Sequence, residues 1–149
     1  VVDIAPKKYS VDFHKNILEF LSSISIKEFS NRVQIDELLS SEIKDFSVRQ
    51  FLMKNLYRDT NKQFNWRFNI MILKEKLDNI SGVDFLDKKI NIPTLFLSGE
   101  RSNYINEDDK QLISNYFVNY QIYTIANSGH WIHAEQPELF YNSVISFIN

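Results

Sequence analysis

The chain has 149 residues, of which 44% are apolar and 24% charged, and its formal net charge is −2. That is enough apolar chain for one domain with a real core, and too little positive charge to draw nucleic acid or an anionic membrane surface. Cysteine is absent, which excludes disulfides, thiolate catalysis and zinc–cysteine sites; no membrane span or signal peptide is read in it, and a cytoplasmic protein is expected.

In chain order, Val1-Val2-Asp3-Ile4 has the β-branched, apolar character of a buried parallel strand, stopped at Ala5-Pro6 because proline cannot donate to a ladder. The chain starts within this run and without a methionine, so a fragment lacking its preceding portion is expected, with residues 1–4 left as a sticky edge. Ser10 or Asp12 is placed to cap a helix over 11–23, with Phe13, Ile17, Leu18, Phe20, Leu21 and Ile24 as its apolar stripe. Serine-rich breaks at 22–23 and 40–41 enclose a second short helix carrying Val33, Ile35, Leu38 and Leu39, and 46–56 predicts a third with Phe51, Leu52 and Leu56 on one side.

Residues 55–63 are polar and turn-like. Phe64-Asn65-Trp66-Arg67-Phe68-Asn69 places aromatics at alternate positions, as a short extended segment does, and Asn69 can cap a helix over 70–77. A charged loop with Gly82 follows over 78–92, ending before Pro93.

From here the pattern changes. Thr94-Leu95-Phe96-Leu97 is a short apolar strand ended by Ser98-Gly99; Asn106-Glu107-Asp108-Asp109 opens a helix with acids in its first turn, and Leu112, Ile113, Tyr116 and Phe117 form its buried face. Residues 121–125 are the next strand. Pro137 starts a last helix, with Phe140, Val144, Ile145 and Ile148 facing inward. The order strand, long helical insertion, strand, helix, strand, helix implies an α/β fold with parallel strands and right-handed crossovers. The core is expected over 1–8 and 92–149, and a helical insertion over 9–91.

Chemistry concentrates around Asn127-Ser128-Gly129-His130-Trp131-Ile132-His133, between the last strand and the last helix. A loop at the carboxyl end of a parallel strand is where open α/β sheets hold ligands, and His130 there can serve as a general base. The plain alternative is a histidine that merely holds a turn. His133 forms His-x-x-His with it, but no carboxylate pattern completes a metal site, so His133 is expected to be structural, bonding a backbone carbonyl near the last helix. Glu135 and Glu138 are explained by the dipole of that helix.

A histidine base needs an orienting acid, and in hydrolases with a nucleophile elbow the chain order is nucleophile, acid, histidine. The usual acid position falls in Ser98-Gly99-Glu100-Arg101-Ser102-Asn103-Tyr104, where an aspartate would be expected and Ser102 stands. Ser102 can hydrogen-bond an imidazole but cannot supply negative charge. Glu100 comes a turn too early and is expected to pair with Arg101. Asp3 is preferred as the acid, because it ends a strand at the same sheet edge as His130 and a carboxylate in an apolar run is costly unless paired. Its plain alternative is a turn anchor for Ala5-Pro6.

Val2-Asp3-Ile4-Ala5-Pro6, Trp66-Arg67-Phe68-Asn69, Ser98-Gly99 with Ser102-Asn103-Tyr104, and Gly129-His130-Trp131-Ile132-His133-Ala134-Glu135 with Pro137 together resemble the carboxyl-terminal part of an α/β-hydrolase. The likeness is closest to small-cap bacterial esterases and acyl thioesterases of the YbfF type. The resemblance implies strands six to eight of that fold with a helical cap, Asp3 as the acid, Ser102 assisting at the vacated acid position and His130 as the base. It implies Trp66, Arg67 and Phe68 on the cap segment over the pocket, with Trp131 near it, as substrate-binding residues. It implies hydrolysis of short acyl esters or thioesters, without cofactor or metal. The family's nucleophile is a serine in Gly-x-Ser-x-Gly, and no such motif occurs among Gly82, Gly99 and Gly129. The serine and oxyanion donors are therefore expected in a preceding amino-terminal half, and the 149 residues alone should be inactive. That missing half, or a second copy paired at residues 1–4, would be the partner. A non-catalytic binding module of the same fold, or a relative that cleaves C–C or carbon–halide bonds, is the alternative.

Overall fold

In a computed structural model, which describes residues 1–83 and 88–149, the chain divides into two units, Tyr9–Ser81 and Val1–Lys8 with Gly82–Asn149. The second boundary falls at Ser81–Gly82 rather than at 91–92, because Gly82 bridges Lys8 and Ile90 bridges Phe117. The loop expected over 78–92 begins with a 3-10 turn, Leu77–Ile80, and its residues 84–87 lie outside the described residues.

The Tyr9–Ser81 unit is helical. Helix α1 (Asp12–Ser23) buries Leu18 and Leu21. Its N-cap residue, Val11, offers no capping side chain, although the Ser10 hydroxyl accepts from the Asp12 amide at 3.3 Å. Helix α2 (Arg32–Glu42) is capped by Asn31, and Ile35 and Leu39 one turn apart are fully buried. Helix α3 (Phe46–Lys54) is capped by Asp45, whose carboxylate accepts from the amides of Ser47 and Val48. The buried stripes are narrower than expected: Phe13, Val33 and Phe51 are exposed, and Met53 is buried beside Leu52 instead.

The segment expected to be only a turn contains a strand. β1 (Leu56–Arg58) pairs antiparallel with β2 (Phe64–Trp66), and the Asp59 carboxylate between them accepts from the amides of Asn61 and Gln63. Leu56 and Phe64 enter the same core as Leu21, Ile35, Leu39 and Leu52. The Arg32 guanidinium ties the end of α3 to β1 by donating to the carbonyls of Met53 and Leu56 at 2.7 and 2.8 Å. Helix α4 (Ile70–Lys76) follows, with the Asn69 side chain accepting from the Ile72 amide.

The other unit is a parallel layer. β3 (Thr94–Gly99) and β4 (Tyr120–Ile125) pair in register from Thr94–Tyr120 to Gly99–Ile125. Residues 1–3 run parallel along the other side of β3: Leu97 N–H donates to the Val1 carbonyl at 2.9 Å and Asp3 N–H to the Leu97 carbonyl at 2.7 Å. This is a single bridge at Val2 rather than a full strand. Leu95 and Leu97 pack on one side with Ile125, Ile132 and Phe140, Val144 and Phe147 of the last helix. Phe96 packs on the other with Ala5, Ile105 and Ile113. Covering on both faces explains why Leu95, Phe96 and Leu97 are apolar in succession rather than alternating with polar residues.

Helix α5 (Glu107–Tyr116) begins with a capping box between Asn106 and Asp109, and Lys7 reaches the Asp109 carboxylate at 2.6 Å, fixing residues 1–8 to this helix. Between β4 and α7 (Pro137–Ile148) lies a short helix, α6 (Ile132–Glu135), which the sequence did not disclose. On α7, Ile145 and Ile148 are exposed, and Phe147 takes the inward place expected for Ile148.

Candidate active site

Parallel pairing brings the ends of the 1–3 segment, β3 and β4 to one edge, and the loops leaving that edge build the site. Asp3 is fully buried, at φ 45, a backbone region aspartate tolerates better than most side chains. A buried carboxylate is stable only if its oxygens are satisfied. Here Oδ1 accepts from Gly99 N–H at 3.0 Å, while Oδ2 accepts from the Ser102 hydroxyl and lies 2.8 Å from His130 Nδ1.

With Asp3 ionised, its carboxylate can only accept, so in that state Nδ1 carries the ring proton and Nε2 is left as the proton acceptor. The His130 side chain keeps 41% of its exposure, which leaves room for a reacting group to approach. One ring face is covered: the Tyr104 ring stacks on it at a centroid distance of 3.9 Å and an interplanar angle of 18°. Trp131 meets it edge-on at 6.1 Å.

Ser102 differs from its expected contact. Its hydroxyl donates to the acid, not to the imidazole, and accepts the Tyr104 amide at 3.2 Å. Glu100 does not pair with Arg101; its Oε2 accepts the Asn127 amide at 2.7 Å. Arg101 instead reaches Glu135 at 3.2 Å and the Asn127 carbonyl at 2.6 Å. Glu135 does more than complement a helix dipole, since its Oε2 also accepts Gly129 N–H at 2.9 Å. The loop before His130 is thus held by Glu100, Arg101 and Glu135, with Asn127 at φ 57 and the buried Ser128 hydroxyl donating to the Ile125 carbonyl. Gly99 and Gly129 let the two loops touch: a Cβ on Gly99 would stand 2.2 Å from the Gly129 carbonyl oxygen.

The His133 ring lies between those of Trp131, at 6.0 Å, and Phe140, at 6.2 Å. Trp66, Arg67 and Phe68 belong to the helical unit. There Trp66 and Phe68 stack at 5.4 Å, the Arg67 guanidinium lies 5.4 Å from the Tyr57 ring, and all three line a shallow cleft with Asn69 and Met71. Tyr104 and Glu135 are the residues that sequence reasoning left without a role at the site. Both lie inside the segments that carry the resemblance, but no spacing rule marks a ring that will lie on His130 or an acid that will grip Gly129.

No family model matches the chain. It is 35% identical to the sn-1-specific diacylglycerol lipase ABHD11 of Danio rerio over 99% of the chain and 48% of that protein. It is 28% identical to Esterase YbfF of Escherichia coli over 99% of the chain and 56% of that protein. Among solved structures, a marine microorganism esterase superposes with a TM-score of 0.91 at 37% identity, covering 99% of the chain and 59% of that protein. The fold of the chain is that of part of an α/β-hydrolase. Relatives named as esterases or lipases, YbfF among them, match the chain, and it spans about half the length of the curated relatives it matches. Among the described residues, no helix is long and apolar enough to cross a membrane.

Proposed function

We propose that the whole protein is a serine hydrolase of short acyl esters or thioesters and that these residues supply its base and its acid. The nucleophile would be a serine of a Gly-x-Ser-x-Gly turn outside the 149 residues. His130 Nε2 takes the hydroxyl proton as the serine oxygen attacks the acyl carbon, and returns it to the departing alcohol or thiol. Water then repeats the cycle on the acyl-enzyme. Asp3 holds the imidazole in the required tautomer and stabilises the imidazolium as it forms. Ser102 steadies the acid. Nothing in this cycle calls for a metal or an organic cofactor, and a cytoplasmic setting suits it.

The helical unit is read as the cap. The assignment of Trp66, Arg67, Phe68 and Trp131 to substrate binding rests on the sequence resemblance. Val1 and Val2, half exposed beside β3, would be covered by the preceding strand of the complete sheet.

The observation that carries the reading is a fully buried carboxylate 2.8 Å from the Nδ1 of a half-exposed histidine. The test is to label the whole protein with a fluorophosphonate and assay it on a nitrophenyl acyl ester. Serine labelling and turnover, both abolished by His130→Ala, are expected. A protein that neither labels nor turns over ester is a binding module or acts by different chemistry.

A further inference from the structure

We propose that Tyr104 is a positioning residue for His130, holding the plane of the imidazole while Asp3 holds its edge. The proposal rests on the reading of His130 as the base, and adds a residue to it.

One hydrogen bond from Asp3 Oδ2 fixes one ring atom, but it does not fix the ring plane. The histidine ring torsion is broad, so the imidazole can swing about that bond. Burial does not stop it, because 41% of the side chain is exposed. The Tyr104 ring supplies the missing restraint, lying nearly parallel to the imidazole, 18° apart, at 3.9 Å. Trp131, at 6.1 Å and 71°, touches an edge and cannot do the same.

Tyr104 is itself well placed to hold something else. Its amide donates to the Ser102 hydroxyl, which in turn donates to the Asp3 carboxylate. The next residue, Ile105, is buried in the core with Phe96 and Ile113. The support for the ring face and the support for the ring edge therefore meet at one serine. A general base whose Nε2 wanders by an ångström loses turnover without losing affinity, so the effect belongs on kcat.

The experiment compares Tyr104→Phe with Tyr104→Leu in the whole protein, reading kcat and KM on a nitrophenyl acyl ester and the Nδ1–H proton resonance of His130. The leucine variant should lower kcat roughly three- to tenfold with KM unchanged, and its Nδ1–H resonance should broaden as solvent reaches a looser ring. The phenylalanine variant should keep both, because it keeps the ring. Leucine turnover within twofold of the parent with a sharp resonance overturns the proposal. So does a phenylalanine variant as impaired as the leucine one, or a leucine variant altered only in KM. If the leucine variant does not fold, Tyr104→Met replaces it. If the parent shows no esterase activity, the resonance alone decides: broadening in leucine but not phenylalanine supports the ring seat while the esterase reading fails.

Discussion

Asp3 and His130 are 127 positions apart in sequence, and their side chains meet at 2.8 Å. The meeting follows from strand direction. The 1–3 segment and β4 flank β3 in parallel, so a residue just past the end of each comes to the same edge. The carboxylate there is completely buried and has donors on both oxygens.

Ser102 is the donor that can be removed most cleanly. Ser102→Ala takes one hydrogen bond from a buried carboxylate, a loss of about 1–3 kcal/mol, removes the acceptor of the Tyr104 amide, and leaves the contact with His130 standing. A fall in kcat of about tenfold is expected, well short of the loss for the acid itself. Steady-state kinetics check it, and a fall as deep as that of His130→Ala would mean that Ser102 does more than steady the acid.

Gly99→Ala should be far more damaging than an ordinary loop substitution. The new methyl would stand 2.2 Å from the Gly129 carbonyl oxygen, and both partners are backbone, so neither can swing aside. The β3 and His130 loops must separate, which disturbs Asp3 through its bond to the Gly99 amide. Loss of most turnover with a lowered Tm is expected; a variant with parental kinetics would show that the loops have slack.

Much of this arrangement can be read in the residues. Asn106 with Asp109, and Asn69, mark helix starts because a short polar side chain facing free amides has few better uses. Asp3 stands out as a charge in an apolar run. What stayed hidden depends on tertiary context. Strand β1 is three residues long, and its signal is drowned by the polar turn after it. Phe13, Phe51 and Ile148 match a helical period yet lie outside the buried stripe, since period gives the direction of a face but not its width. The partners of Arg101 and Glu135 come from neighbouring loops, and sequence adjacency pointed Arg101 at the wrong carboxylate.

Leu39→Ala tests the helical unit. Leu39 is fully buried among Leu21, Ile35 and Leu52, so the cavity should cost about 2–5 kcal/mol. Urea unfolding should show this as a lower midpoint. A loss under about 0.5 kcal/mol would mean that this core is loosely packed.

The 149 residues expressed alone should not hydrolyse a nitrophenyl acyl ester. They hold no Gly-x-Ser-x-Gly, and a base with an acid beside it has nothing to activate. The assay is a progress curve against a buffer blank. Turnover that a fluorophosphonate abolishes would place a nucleophile within this chain.

The most direct measurement compares kcat/KM of Asp3→Asn with that of Glu100→Gln in the whole protein. Asparagine at position 3 presents an amide to Nδ1 and removes the charge that stabilises imidazolium, so a fall of roughly 10³- to 10⁴-fold is expected. Glutamine at position 100 can still accept the Asn127 amide and should stay within about threefold of the parent, since the net worth of one such hydrogen bond is small. The reverse order, with Glu100→Gln crippled and Asp3→Asn active, would contradict the account.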